Sequence, residues 1–178
     1  MMASDALRQL ASRLKHAPLL PHGAGAAVDH GPSDVERLLP HRSPMLLVDS
    51  IDAIDVGGRA ARGRRYLAPS DPGFAGHFPG DPVYPGALVV EAMGQLGLTL
   101  LYFAEAGVVD VPHATHARRV RAVHIHRATF LSSFLPGDTI TLHAQIVEMG
   151  GLTMIAAGQA WNRNRLAAFA VSEVYIDE

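Results

Sequence analysis

The chain has 178 residues, 48% of them hydrophobic, which is the size of one domain able to bury a real core and excludes wholesale disorder. Fifteen Lys and Arg stand against 17 Asp and Glu, a formal net charge of −2, so no global basic field is available to hold nucleic acid by phosphate neutralisation. Cysteine is absent, which removes disulfides, thiolate metal ligands and cysteine nucleophiles together.

Near the N-terminus, Arg8, Arg13 and Lys15 interrupt every candidate apolar core of secretory type, and a cytoplasmic location is the simplest expectation. Leu7, Leu10 and Leu14 recur at helical spacing and predict a short amphipathic helix over residues 4–15, read as a surface extension. Residues 17–32 carry Pro18, Pro21, Gly23, Gly25, Gly31 and Pro32 and read as a linker. The expected division is therefore an extension and linker over 1–32, followed by one domain over 33–178. Ser33 is a candidate cap for a short helix, with Glu36 completing a capping box. Strands are expected over 45–56 and 59–67, joined by a hairpin turn at Gly57-Gly58.

From Gly86 onward the run ALVVEAMGQLGLTLLYFAEAG is too long and unbroken for a strand, and predicts a buried helix with Pro85 near its first turn. Glu91, Gln95 and Thr99 are the only polar side chains in its first four turns, and at i, i+4 and i+8 they form one stripe. The apolar stretch over 87–103 contains Glu91 and Gln95 and is shorter than about 20 residues, so it reads as a core helix and not a membrane span. Four more strands follow over 120–130, 139–148, 153–161 and 166–176, separated by the turns PGD, GG and NRNR. This order suits an α+β fold in which an antiparallel sheet wraps one long helix.

The segment GHFPGDPVYPGALVVEAMGQ, residues 76–95, carries the chemistry. Gly76 and Gly80 bracket His77 and can adopt backbone angles closed to other residues, while Pro79, Pro82 and Pro85 stiffen the loop. An ionised carboxylate at Glu91, inside an apolar helix, requires a partner or a protonation role. This segment closely resembles the signature of the hot-dog-fold 3-hydroxyacyl-acyl-carrier-protein dehydratases of the FabA/FabZ type, whose members carry a histidine in a GHFPG-like turn and an acid fourteen positions later. LLPHRSPMLLVD at residues 38–49 and FLPGD at 134–138 match the family in order and spacing, and the acid is Glu, as in the FabZ-type branch.

The resemblance implies elimination of water from a (3R)-3-hydroxyacyl thioester held on acyl carrier protein, giving a trans-2-enoyl thioester. It implies His77 as base and Glu91 as acid, paired across a homodimer or a trimer of dimers. A neutral imidazole accepts a proton near physiological pH, and an apolar surrounding favours a carboxylic acid that keeps its proton. The amides of Gly86 and Ala87 lie at a helix start, where unpaired N–H groups and the helix dipole favour the developing enolate. No metal or redox cofactor is required, because the substrate loses a proton and hydroxide without net electron transfer. Gln95 is expected to orient the acid, Phe74 and Tyr84 to line the acyl pocket, and His41 and Arg42 to serve architecture.

His113, His116, His124 and His126 form a second cluster, with His124 and His126 on one strand face, but no convincing carboxylate ligand accompanies them. Arg118, Arg119, Arg121 and Arg127 in the same stretch could steer an acidic carrier; this stretch departs from the family pattern. Two alternatives stay open: a thioesterase of the same fold, against which the GHFPG turn argues, and a non-catalytic acyl-binding or assembly partner.

Overall fold

The computed structural model describes residues 4–177. Its elements in chain order are α1 (Ser4–His16), β1 (Ala26–His30), α2 (Pro32–Leu38), β2 (Ser50–Asp55), β3 (Ala60–Tyr66), a 3₁₀ turn (Pro72–Phe74), α3 (Gly86–Ala106), β4 (Val120–Phe130), β5 (Thr139–Gly150), β6 (Thr153–Asn162) and β7 (Arg165–Ile176). The seven strands form one antiparallel sheet in the order β1-β2-β3-β5-β6-β7-β4.

Helix α3 packs against one face of this sheet and is the centre of the core, burying Val89, Met93, Leu96, Leu100 and Phe103 among others. Each such side chain contributes about 1.5–3 kcal/mol relative to exposure, which is why a helix long and apolar enough to cross a membrane lies inside the fold. Backbone contact is close where β6 crosses it: a Cβ at Gly158 would stand 2.6 Å from Met93 Cβ. The helix stops at Gly107, which takes the left-handed conformation (φ 70°) and returns its N–H to the Phe103 carbonyl, as C-terminal caps commonly do. A sheet wrapped on a long helix is the hot-dog architecture.

The opposite face of the sheet is also covered. On β6, Met154, Ala156 and Ala160 face α3, whereas Ile155 and Ala157 join Phe169 and Val171 of β7 in a second cluster with Leu10, Ala11 and Leu14 of α1. This two-sided burial explains why β6 lacks the apolar–polar alternation of a strand with one wet face. Gln159, fully buried, donates to the carbonyls of Leu14 (2.7 Å) and Ala17 (2.8 Å) and accepts from the Leu19 amide (2.8 Å). His143 Nδ1 accepts from the Leu20 amide at 3.3 Å.

The N-terminal region therefore differs from its reading as a surface appendage and linker. Residues 17–32 contain β1, which pairs antiparallel with β2 and extends the sheet; five residues with glycine and proline on both sides carry too little pattern to announce a strand. Helix α2 starts at Pro32 after an N-cap at Gly31 with no side-chain cap, so the Ser33/Glu36 capping box does not form. The first hairpin is shorter than expected, because Met45 and Leu46 turn back onto the Arg42 carbonyl and the Leu47 amide is taken by Gln95. Its turn spans Val56 to Arg59, and Gly58 donates to the Asp55 side chain at 2.9 Å.

Candidate active site

His77 sits in a turn held by backbone bonds: its N–H donates to the Phe74 carbonyl, and its carbonyl accepts from Val83 at 2.9 Å. Gly76 (φ 79°) and Gly80 (φ 82°) occupy the left-handed region on either side, where a side chain is disfavoured. His77 Nδ1 lies 2.8 Å from the Val83 carbonyl. A carbonyl only accepts, so Nδ1 carries the proton and Nε2 presents its lone pair. The imidazole stacks on Phe78, centroids 4.3 Å apart.

The ring opens onto a cavity of about 310 Å³ bounded by Tyr84, Gly86, Ala87, Phe130 and Phe134. In the first turn of α3, the Leu88 and Val89 amides both return to the Pro85 carbonyl, while those of Gly86 and Ala87 have no acceptor among the described residues. Two free N–H groups at the positive end of a 21-residue helix thus border the same space as the imidazole, an arrangement suited to an oxyanion. What excludes a side chain at Gly86 is the Phe130 ring, 2.7 Å from the position a Cβ would take. Tyr84 borders the cavity, whereas Phe74 lies behind it in an edge-on stack (5.3 Å). The Tyr84 hydroxyl is buried without a partner, and burial pushes its pKa up, with Asp71 adding to the effect.

Glu91 is elsewhere on α3. Its carboxylate accepts from Gln95 Nε2 at 2.9 Å and stands 3.5 Å from His41 Nε2. Gln95, 1% exposed, uses its remaining capacity on the Met45 carbonyl (2.7 Å) and the Leu47 amide (2.8 Å), so its amide is fixed and holds the acid in one orientation. Thr99 completes the polar stripe but bonds back to the Leu96 carbonyl. The surroundings of Glu91 are therefore polar, with its side chain 40% exposed, in contrast to the apolar enclosure expected from the sequence. Within one chain no hydrogen bond joins His77 and Glu91. His41, read from the sequence as architectural, is the residue whose place beside the acid was missed; only its block of the resemblance, LLPHRSPM, pointed to it.

In the histidine-rich stretch, His124 and His126 stack at 5.1 Å and His126 Nε2 meets Glu173 Oε2 at 2.8 Å, a carboxylate contributed by the neighbouring strand β7. Among the described residues, no group of three or more His, Cys, Asp or Glu side chains could hold a metal ion. Arg118 and Arg121 of the basic patch are partly spoken for by Glu105 and Asp177.

Residues 39–170 match the family model of the FabA-like domain, and the chain belongs to this family. It is 31% identical over 137 residues, 77% of this chain and 90% of the relative, to a 3-hydroxyacyl-[acyl-carrier-protein] dehydratase FabZ of a Nitratiruptor species. Against the protein of the same name from Pelotomaculum thermopropionicum it is 34% identical over 138 residues, covering 78% and 92% of the two chains. The dehydratase heterocomplex ApeI:P from Xenorhabdus doucetiae has the same fold, with a TM-score of 0.62 at 16% identity, covering 81% of this chain and 91% of that one.

Proposed function

We propose that this chain is a 3-hydroxyacyl-acyl-carrier-protein dehydratase, a lyase that converts (3R)-3-hydroxyacyl thioesters to trans-2-enoyl thioesters in fatty acid or related acyl-chain synthesis. One observation carries the reading: an imidazole whose Nδ1 proton is committed to a carbonyl, leaving Nε2 as a base, borders the same cavity as two unpaired helix-start amides. His77 Nε2 removes the C2 proton, and the enolate oxygen that develops is held by the amides of Gly86 and Ala87. Glu91, oriented by Gln95, gives its proton to the 3-hydroxyl, which leaves as water while the C2–C3 double bond forms. The proton taken by His77 balances the one released by Glu91.

The acid reaches the base from a second copy. Glu91 does not border the His77 cavity, and β4 is an unpaired sheet edge of 11 residues with Val123, Ile125 and Phe130 exposed. A long open edge that exposes apolar side chains is a template for another strand, and Phe130 lies on the wall of the cavity itself. The working unit in this reading is a homodimer, or a larger assembly built from dimers, in the cytoplasm. Leu98 and Tyr102 follow Glu91 along one face of α3 into a largely apolar cavity of about 400 Å³, which gives room for an acyl tail.

The test is to incubate the protein with a panel of 3-hydroxyacyl carrier-protein and coenzyme A thioesters and to weigh the products. Loss of one water is expected. Release of free acid would identify a thioesterase instead, and unchanged substrate throughout would leave only an acyl-binding role.

A further inference from the structure

On the sheet face opposite α3, a polar cleft of about 560 Å³ lies against the N-terminal segment at Pro18 and His22. Ala61 and Gly63 of β3 face the helix, so Arg62 and Arg64 project into the cleft on the other side. A single carboxylate, Asp52, fixes both: Arg62 Nε donates to one oxygen at 2.6 Å and Arg64 Nε to the other at 2.8 Å. Both guanidiniums are thereby oriented through Nε, and their Nη groups have no acceptor among the described residues. Arg163 joins them from the β6–β7 turn, where it adopts a left-handed backbone (φ 54°) and makes no ion pair among the described residues. Three guanidiniums against one carboxylate is a local excess of positive charge in a chain whose net charge is −2.

His143 forms part of the same wall and is only 6% exposed. Because Nδ1 accepts the Leu20 amide, Nε2 carries the proton, and this donor on the cleft wall has no acceptor within the described residues. Burial, reinforced by Arg62, lowers the His143 pKa to about 4, so the ring stays a neutral donor at physiological pH. Trp161 adds a flat apolar surface beside it, ring centroids 6.1 Å apart.

We infer that this cleft binds a phosphate dianion, free or as a terminal monoester, held by Arg62, Arg64, Arg163 and the His143 Nε2–H. The dianion neutralises the excess charge and gives acceptor oxygens to the forked guanidinium donors. The source is either inorganic phosphate or a nucleotide whose ring lies on Trp161. The site is independent of the catalytic reading: it lies on the far side of the sheet from α3, and its N-terminal wall precedes residues 39–170, which match the family.

Trp161 is the only tryptophan in the chain and reports directly. The full-length protein, in a buffer free of phosphate, is titrated with sodium phosphate, with AMP and with sodium chloride at equal ionic strength, following tryptophan emission. A saturable change with phosphate or AMP, absent with chloride, is expected; AMP binding more than tenfold tighter than phosphate would identify the nucleotide as source, and comparable affinities the free anion. Arg64 and Arg163 are both exposed, and Arg64→Ala with Arg163→Ala, checked for fold by circular dichroism, should weaken binding at least about tenfold. A response that chloride reproduces, no saturable response to either anion, or unchanged affinity in the folded double variant would each overturn the site.

Discussion

At the reacting groups, one carbonyl does much to define the chemistry. By accepting from His77 Nδ1, Val83 fixes the tautomer in which Nε2 is basic, so His77→Ala should lower turnover by about 10²- to 10⁴-fold without unfolding the protein. Glu91→Gln, which keeps volume and loses the transferable proton, should fall in the same range. The double variant should be little worse than either single one, since each already disables one proton relay. Steady-state kinetics on folded variants checks this; a Glu91→Gln enzyme within about threefold of wild type would leave Glu91 a structural role.

His143 supports a prediction of a different kind. Its folded pKa of about 4 lies below the ordinary 6.5, so the unfolded chain takes up that proton first as pH falls. Its stabilising contribution is complete above about pH 6.5 and is lost as pH drops towards 4. The loss is bounded at about 3 kcal/mol. Urea midpoints measured from pH 7 to 4.5 should fall less steeply for His143→Gln than for wild type.

Among the elements, α1 was expected as a surface extension and instead packs on the sheet. Leu14 is wholly buried against β6 and β7, and Leu14→Ala should cost about 2–5 kcal/mol, measurable as a lower melting temperature. If the midpoint were unmoved, the contact would be dispensable. The His77 turn and α3 could be read from the chain as structure because their signals are local: glycines and prolines around one histidine, and an apolar run broken by a polar stripe. The amphipathic pattern of α1 was equally plain, yet periodicity says which face is apolar and not what will cover it. The partner strands lie about 140 residues away in sequence, and no local pattern announces that Gln159 will tie them to residues 14–19. The same reason hid His41, whose proximity to Glu91 is a tertiary fact.

Taken as a folded unit, the chain leaves the 11-residue edge strand β4 open and both faces of β6 and β7 covered. Light scattering at assay concentration should give a dimer or a multiple of dimers; a fully active monomer would contradict a shared site. Removing residues 1–32 takes away α1 and β1 together, and it uncovers Ile155, Phe169 and Val171. The truncated protein should melt lower and aggregate more readily than the full chain, although every residue assigned to the chemistry remains. Comparing the two by thermal melting and by turnover on the same substrate separates support of the fold from participation in the reaction.

The tie between Gln159 and the N-terminal segment spans 145 positions, and this has a consequence for how the protein is made. Helix α1 leaves the ribosome well before the strands that receive it, β6 and β7. Until they emerge its leucine face is therefore without a seat and open to chaperones or to other nascent chains, and non-local closure of this kind is slow. Shielding of α1 should come as a late, single event after β7 is released. Arrested chains ending before residue 165 should leave α1 open to protease, and chains extended far enough past residue 178 for β7 to clear the exit tunnel should not.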